Sequence, residues 1–133
     1  MCAFPREEEG KQAQGYRVVF EVAVEGVERW EGVLRNVENV RKSLGKETSV
    51  EVVAHGKGIG LLLGKTAAEH PELKAGLDKL HSEGVVFAGC ENTMERMKLE
   101  KKDLVPSAVT VDSGVAEVVK KQTAGWAYVK SGG

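Results

Sequence analysis

The chain has 133 residues, enough for one domain with a real core and too few for two of ordinary size. Its 19 basic and 20 acidic side chains give a formal net charge of −1 and are scattered over helix-like segments, which excludes the basic footprint of a nucleic-acid or anionic-membrane binder. Aromatic residues are only 5%, too few for a base-stacking platform, and no apolar run approaches the ~20 residues that a membrane span needs.

Residues 1–15, with Glu7-Glu8-Glu9, Gly10, Gln12, Gln14 and Gly15, read as a flexible N-terminal tail. The start lacks the apolar stretch of a secretory signal, so a cytoplasmic protein is expected. In that reducing compartment Cys2 and Cys90 read as free thiols. A single domain then spans 16–130. Its first strand runs from Tyr16 to Val24, rich in β-branched and aromatic residues. From Val27 to Leu44 the spacing turns helical, with Trp30, Val33, Leu34, Val37, Val40 and Leu44 on one face and Gly45 placed to end the helix.

A second strand is expected from Val50 to His55, followed by the glycine-rich Gly56-Lys57-Gly58-Ile59-Gly60 and an apolar turn, Leu61 to Leu63. Pro71 suits a first helical position, and Leu73, Leu77 and Leu80 form an apolar stripe that reaches Gly84. The third strand is Val85 to Gly89. After Cys90, Asn92 with Glu95 three residues on has the spacing of a capping box and predicts a helix toward Leu99 that carries Met94 and Met97 as core residues. Ala108 to Val111 is a fourth strand, Asp112 or Ser113 caps a helix over Val115–Thr123, and Trp126 to Val129 is a fifth strand.

Strands alternating with helices imply right-handed crossovers and a mostly parallel five-stranded sheet covered on both faces. Chemistry in such folds gathers at the carboxyl ends of the strands, where His55, Cys90 and Asp112 fall. With a strand order of 2-1-3-4-5, Asp112 lies one strand from Cys90 and His55 two, which disfavours a Cys–His–Asp catalytic triad. Cys90 is the best candidate for a reactive atom, because a thiol at a strand-to-helix junction meets backbone N–H donors and the positive end of a helix dipole. The alternative is a small buried hydrophobe.

Gly56, Lys57 and Gly58 invite a phosphate loop, but the dinucleotide fingerprint requires G-x-G-x-x-G after the first strand, and Leu61 to Leu63 fill the place of the final glycine. Gly64-Lys65-Thr66 resembles the end of a P-loop, yet Ile59 stands where its first glycine belongs. His55, His70 and His81 are far apart and Cys90 has no C-x-x-C partner, so no metal site is expected.

The succession Val52-Val53-Ala54-His55-Gly56, Val85-Val86-Phe87-Ala88-Gly89-Cys90-Glu91-Asn92-Thr93-Met94, Gly114-Val115 and Gly125-Trp126-Ala127-Tyr128-Val129 resembles the DsrE/DsrF-like family, above all its small single-domain YchN-related members. The resemblance implies a three-layer α/β/α Rossmann-like (flavodoxin-like) domain, assembly into homotrimers or homohexamers, and no cofactor. In sulfur-relay members a cysteine at the end of the third strand accepts sulfane sulfur as a persulfide and passes it to a partner protein, and Cys90 matches that position. The arginine and glycine that follow the cysteine in those proteins are replaced here by Asn92, Thr93 and Glu95. The function implied is a sulfane-sulfur carrier or sensor, with His55, Gly56, Lys57, Gly58, Asn92, Thr93 and Asp112 around the thiol. A small-ligand-binding or regulatory oligomer with a structural Cys90 is the alternative. Glu91 and Glu95 oppose the thiolate, and Lys57 offsets them if its loop folds over the same rim.

Overall fold

The computed structural model describes residues 15–132; Cys2 and nearly all of the expected tail lie outside them. Five strands, β1 (Arg17–Val22), β2 (Ser49–Ala54), β3 (Val86–Cys90), β4 (Ala108–Val111) and β5 (Ala127–Lys130), form one sheet in which every pairing is parallel. The helices are α1 (Val27–Leu44), α2 (Gly64–Glu69), α3 (Pro71–Ser82), α4 (Glu91–Arg96) and α5 (Gly114–Thr123). A 3-10 segment, Gly56–Leu62, follows β2, and a short 3-10 turn, Lys101–Asp103, precedes β4.

The strand order is β4-β3-β2-β1-β5, which corrects the order 2-1-3-4-5 considered above. Each of the first three crossovers steps to the adjacent strand in one direction, so right-handed connections stack their helices on a single face. There α1, the 3-10 segment, α3 and α4 cover Val18, Phe20, Val22, Val52 and Phe87 in the main core. The last crossover returns across the sheet to β1, and the same handedness puts α5 on the opposite face, where Val118 meets Val19, Val53 and Ala88. Among the described residues one face is therefore thickly covered and the other carries one ten-residue helix.

Local rules account for most boundaries. Trp30, Val33, Leu34 and Val37 are the buried stripe of α1, which Gly45 ends at φ 114°, a backbone region open chiefly to glycine. Pro71 sits in the first turn of α3, with Leu73, Leu77 and Leu80 buried beneath. The apolar turn expected at Leu61 to Leu63 is mostly 3-10, and α2 follows it unforeseen, because α2 buries no residue and so has no apolar stripe. Met94 is buried as expected, while Met97 is exposed beyond the end of α4. Trp126 packs half-buried beside Val118, while Tyr128 is exposed on edge strand β5.

Candidate functional site

Alternation along the strands sends Glu21, His55, Cys90, Val111 and Lys130 to the thinly covered face, at the carboxyl ends of their strands. Ala54 pairs with Gly89, so the next residues, His55 and Cys90, are lateral neighbours with Cα atoms roughly 5 Å apart. The corrected strand order thus brings His55 beside Cys90 instead of two strands away. Gly114, the first residue of α5, lies over the gap between them. A Cβ on Gly114 would stand 3.1 Å from the Cβ of His55, 3.2 Å from the Cβ of Cys90 and 3.2 Å from Val53 Cγ1. Glycine is what lets the start of α5 settle on the two side chains.

Cys90 ends β3 and caps α4, since its Sγ accepts the Thr93 N–H at 3.4 Å. Sulfur here does the work of an N-cap oxygen, which corrects the capping box expected at Asn92 and starts the helix earlier in the chain. The Cys90 side chain is enclosed, with 5% of the residue exposed. Burial alone would push the thiol up. The Thr93 hydroxyl and the N–H groups of Gly114, Thr93 and Asn92 outweigh it and hold Cys90 below the ordinary thiol range. Donors from the starts of α4 and α5 therefore converge on one sulfur atom, each with the positive end of its dipole.

Thr93 has a second bond that sets its role. Its Oγ1 accepts the N–H of Gly56 at 2.9 Å, which leaves the hydroxyl proton free for Cys90 Sγ. Gly56 takes φ 56° to offer that N–H, so the loop after β2 supports the thiol through Thr93. Gly58 has a structural part: a side chain there would run into the Val22 carbonyl.

Lys57 is turned elsewhere. Its Nζ lies 3.8 Å from Glu25 Oε1, both groups are exposed, and it lines a shallow pocket of about 310 Å³ with Trp30, Ile59 and Met97 on the α1 side of the sheet. The expected offset of Glu91 and Glu95 by Lys57 is thus absent. Glu91 is held instead by the Thr110 hydroxyl at 2.6 Å. Asp112 accepts the N–H of Ser113 at 2.8 Å through its carboxylate and that of Asn92 at 3.2 Å through its carbonyl. It fixes the turn between β4 and α5, whose cap is Ser113.

His55 is engaged by a carboxylate that sequence reasoning did not single out. Its Nε2 lies 2.6 Å from Glu21 Oε2, and the other oxygen, Glu21 Oε1, accepts the Tyr128 hydroxyl. Burial raises the Glu21 carboxyl, but the bonds from Tyr128 and His55, together with the charges of His55 and Lys130, bring it below its ordinary value. The same bond pushes the Tyr128 hydroxyl up. The only signal in the sequence is the placement of an acid, Glu21, inside the apolar run Val18-Val19-Phe20-Glu21-Val22. Among the described residues no group of three or more His, Cys, Asp or Glu side chains is placed to hold a metal ion, and no helix is long and apolar enough to cross a membrane.

The model of the DsrE/DsrF-like family matches residues 27–131, four-fifths of the chain and every element from α1 to β5. The chain belongs to the DsrE/DsrF-like family. A protein of unknown function from Methanobacterium thermoautotrophicum is 32% identical over 86% of this chain and 98% of its own, with a TM-score of 0.78. The YchN protein of E. coli, at 16% identity, and a conserved protein of unknown function from Bacteroides thetaiotaomicron, at 9%, share the DsrE/DsrF-like fold with TM-scores of 0.63 and 0.64. Each comparison covers 86% of this chain, and 97% and 93% of those chains respectively. No curated protein matches this chain.

Proposed function

We propose that this DsrE/DsrF-like protein is a cytoplasmic sulfane-sulfur carrier or sensor in which Cys90 accepts sulfur as a persulfide. The observation that carries this reading is the convergence of the Thr93 hydroxyl and the N–H groups of Thr93 and Gly114, with that of Asn92 shared with the Asp112 carbonyl, on a thiol held below its ordinary range. A carrier cysteine needs a thiolate to attack the sulfane sulfur and an anion-stabilising setting for the persulfide it then holds, and the same donors serve both states. No cofactor enters this chemistry. The donor and acceptor are proteins or small molecules that bear a thiol or persulfide.

Incubation with glutathione persulfide, followed by mass mapping, tests the proposal: the peptide containing Cys90 gains one sulfur atom, lost again on reduction. Full exposure to the donor with Cys90 left unmodified and only Cys2 altered would overturn it. The enclosure of Cys90 favours a second reading, a ligand-binding or regulatory oligomer in which the thiol only packs. On that reading alkylation of the native protein is slow, and Cys90→Ala leaves ligand affinity and assembly intact.

Self-assembly into trimers or hexamers belongs to the same proposal. Support comes from the open flank of the thinly covered face, where Val86 and Val109 in the sheet and Val115 and Val119 on α5 are each more than two-fifths exposed. Such an apolar surface suits a second copy of the chain. Light scattering that returns the monomer mass at micromolar concentration removes this part of the reading.

A further inference from the structure

The thinly covered face carries a polar row that the thiol does not require for packing. In strand order it runs Tyr128 on β5, Glu21 on β1, His55 after β2, and Cys90 on β3. Glu21 and His55 each expose only 19% of their side chains, so both are largely withdrawn from water, a costly position that their mutual bond offsets. An ionised carboxylate can only accept hydrogen bonds. With one oxygen taking the Tyr128 hydroxyl and the other facing His55 Nε2, the proton of the contact at 2.6 Å belongs to the imidazole, on Nε2. The nitrogen left over is Nδ1, and Cys90 stands on the neighbouring strand β3 with its Cα roughly 5 Å from that of His55.

We propose that Glu21, steadied by Tyr128, is a positioning residue that locks the His55 proton on Nε2 and so presents Nδ1 as the proton acceptor and donor for sulfur exchange at Cys90. This rests on the reading of Cys90 as a persulfide-forming thiol. The step balances without an oxidant. The Cys90 thiol proton passes to Nδ1, and the sulfur's electron pair attacks the outer sulfur of a donor persulfide R–S–SH. The donor S–S bond breaks with its pair leaving on R–S⁻, and the proton on Nδ1 passes to that leaving thiolate. The products are Cys90–S–SH and R–SH. While His55 carries both protons, Glu21 and the convergent N–H groups bracket a matched cation and anion.

Among the described residues, the titratable groups around His55 are Glu21 on β1, which in turn meets Tyr128 and Lys130 of β5, and Cys90 on the neighbouring β3. The first turn of α5 offers only the backbone of Gly114, while α4 reaches the thiol through the uncharged Thr93. Asp112 is turned to the Ser113 N–H. Lys130 acts on Glu21 by its charge, reinforcing the ionised carboxylate.

The test uses the whole protein and two independent readouts. First, long-range proton–nitrogen NMR on the wild type reads the tautomer of His55 in its neutral form: the proton is expected on Nε2, and a proton on Nδ1 overturns the inference whatever Cys90 does. Second, single-turnover loading of Cys90 from glutathione persulfide is followed across pH for the wild type, Glu21→Gln and Tyr128→Phe. Glu21→Gln is expected to slow loading at pH 7 by about tenfold and to move the midpoint of the profile, with a smaller loss of the same kind for Tyr128→Phe. Alkylation by iodoacetamide, whose iodide leaving group takes no proton, should lose less than loading does. Profiles of both variants that superimpose on the wild type overturn the relay while leaving the carrier reading intact. A wild type that does not load at all defeats the carrier reading, and the tautomer measurement still decides whether Glu21 sets the state of His55.

Discussion

Thr93 and Gly114 do for Cys90 what an adjacent cation does in many reactive thiols, and they do it without charge. Thr93→Val keeps the shape but removes both the hydroxyl donor to sulfur and the acceptor of the Gly56 N–H. The thiol is expected to rise toward its ordinary range, and alkylation by iodoacetamide at pH 7 to slow by roughly tenfold. The rate-against-pH curve checks this, since a purely structural defect would alter its height and leave the midpoint. Gly114→Ala forces a methyl group into contacts of 3.1 to 3.2 Å with His55, Cys90 and Val53. Overpacking of that kind costs about 1–3 kcal/mol, measurable by urea unfolding, and lifting the start of α5 also withdraws its N–H from the sulfur.

At the scale of elements α5 has the most to explain, because among the described residues it alone covers its face and does so partly with charge. Glu51 of β2 lies beneath it, 5% exposed, beside Glu117 and 3.5 Å from Lys121, which in turn sits 4.6 Å above the Trp126 ring. Burial and then the Glu117 carboxylate push Glu51 up to about 7, against the pull of Lys121. A carboxyl raised in the fold holds a proton that the unfolded chain has lost. Its contribution is therefore complete below the ordinary value near 4.5 and disappears as pH rises through about 7. Between pH 5 and pH 8 the wild type should lose roughly 1–3 kcal/mol by urea unfolding, and Glu51→Gln should flatten that slope. Elements of this kind also show where sequence reasoning reaches. The helix Val27–Leu44 and the strand Ala108–Val111 are legible to the residue, since periodicity and punctuation are local. Strand order is not, because it depends on which distant faces bury one another. So His55 is recognisable as a rim residue, while its place beside Cys90 and its bond to Glu21 emerge only from the pairing of β1, β2 and β3.

For the whole molecule, the contrast between a thick and a thin face separates the main core from the proposed site. The main core, with Phe20, Phe87 and the leucines of α3, carries stability, and Phe87→Ala is expected to cost about 3–5 kcal/mol in thermal or urea unfolding. The same substitution should leave the His55 tautomer unchanged in protein that still folds, since Phe87 points away from the site. The thin face holds the thiol and its polar row under a single helix. The last crossover also has a consequence for the order in which the protein is made. Tyr128 reaches Glu21, 107 residues earlier in the chain, only when β5 docks against β1. A ribosome therefore delivers Cys90 well before the N–H of Gly114 that sharpens it, and Tyr128 later still. The full set of donors around the thiol is complete only in a chain whose α5 has docked over β3 and brought Gly114 to the sulfur.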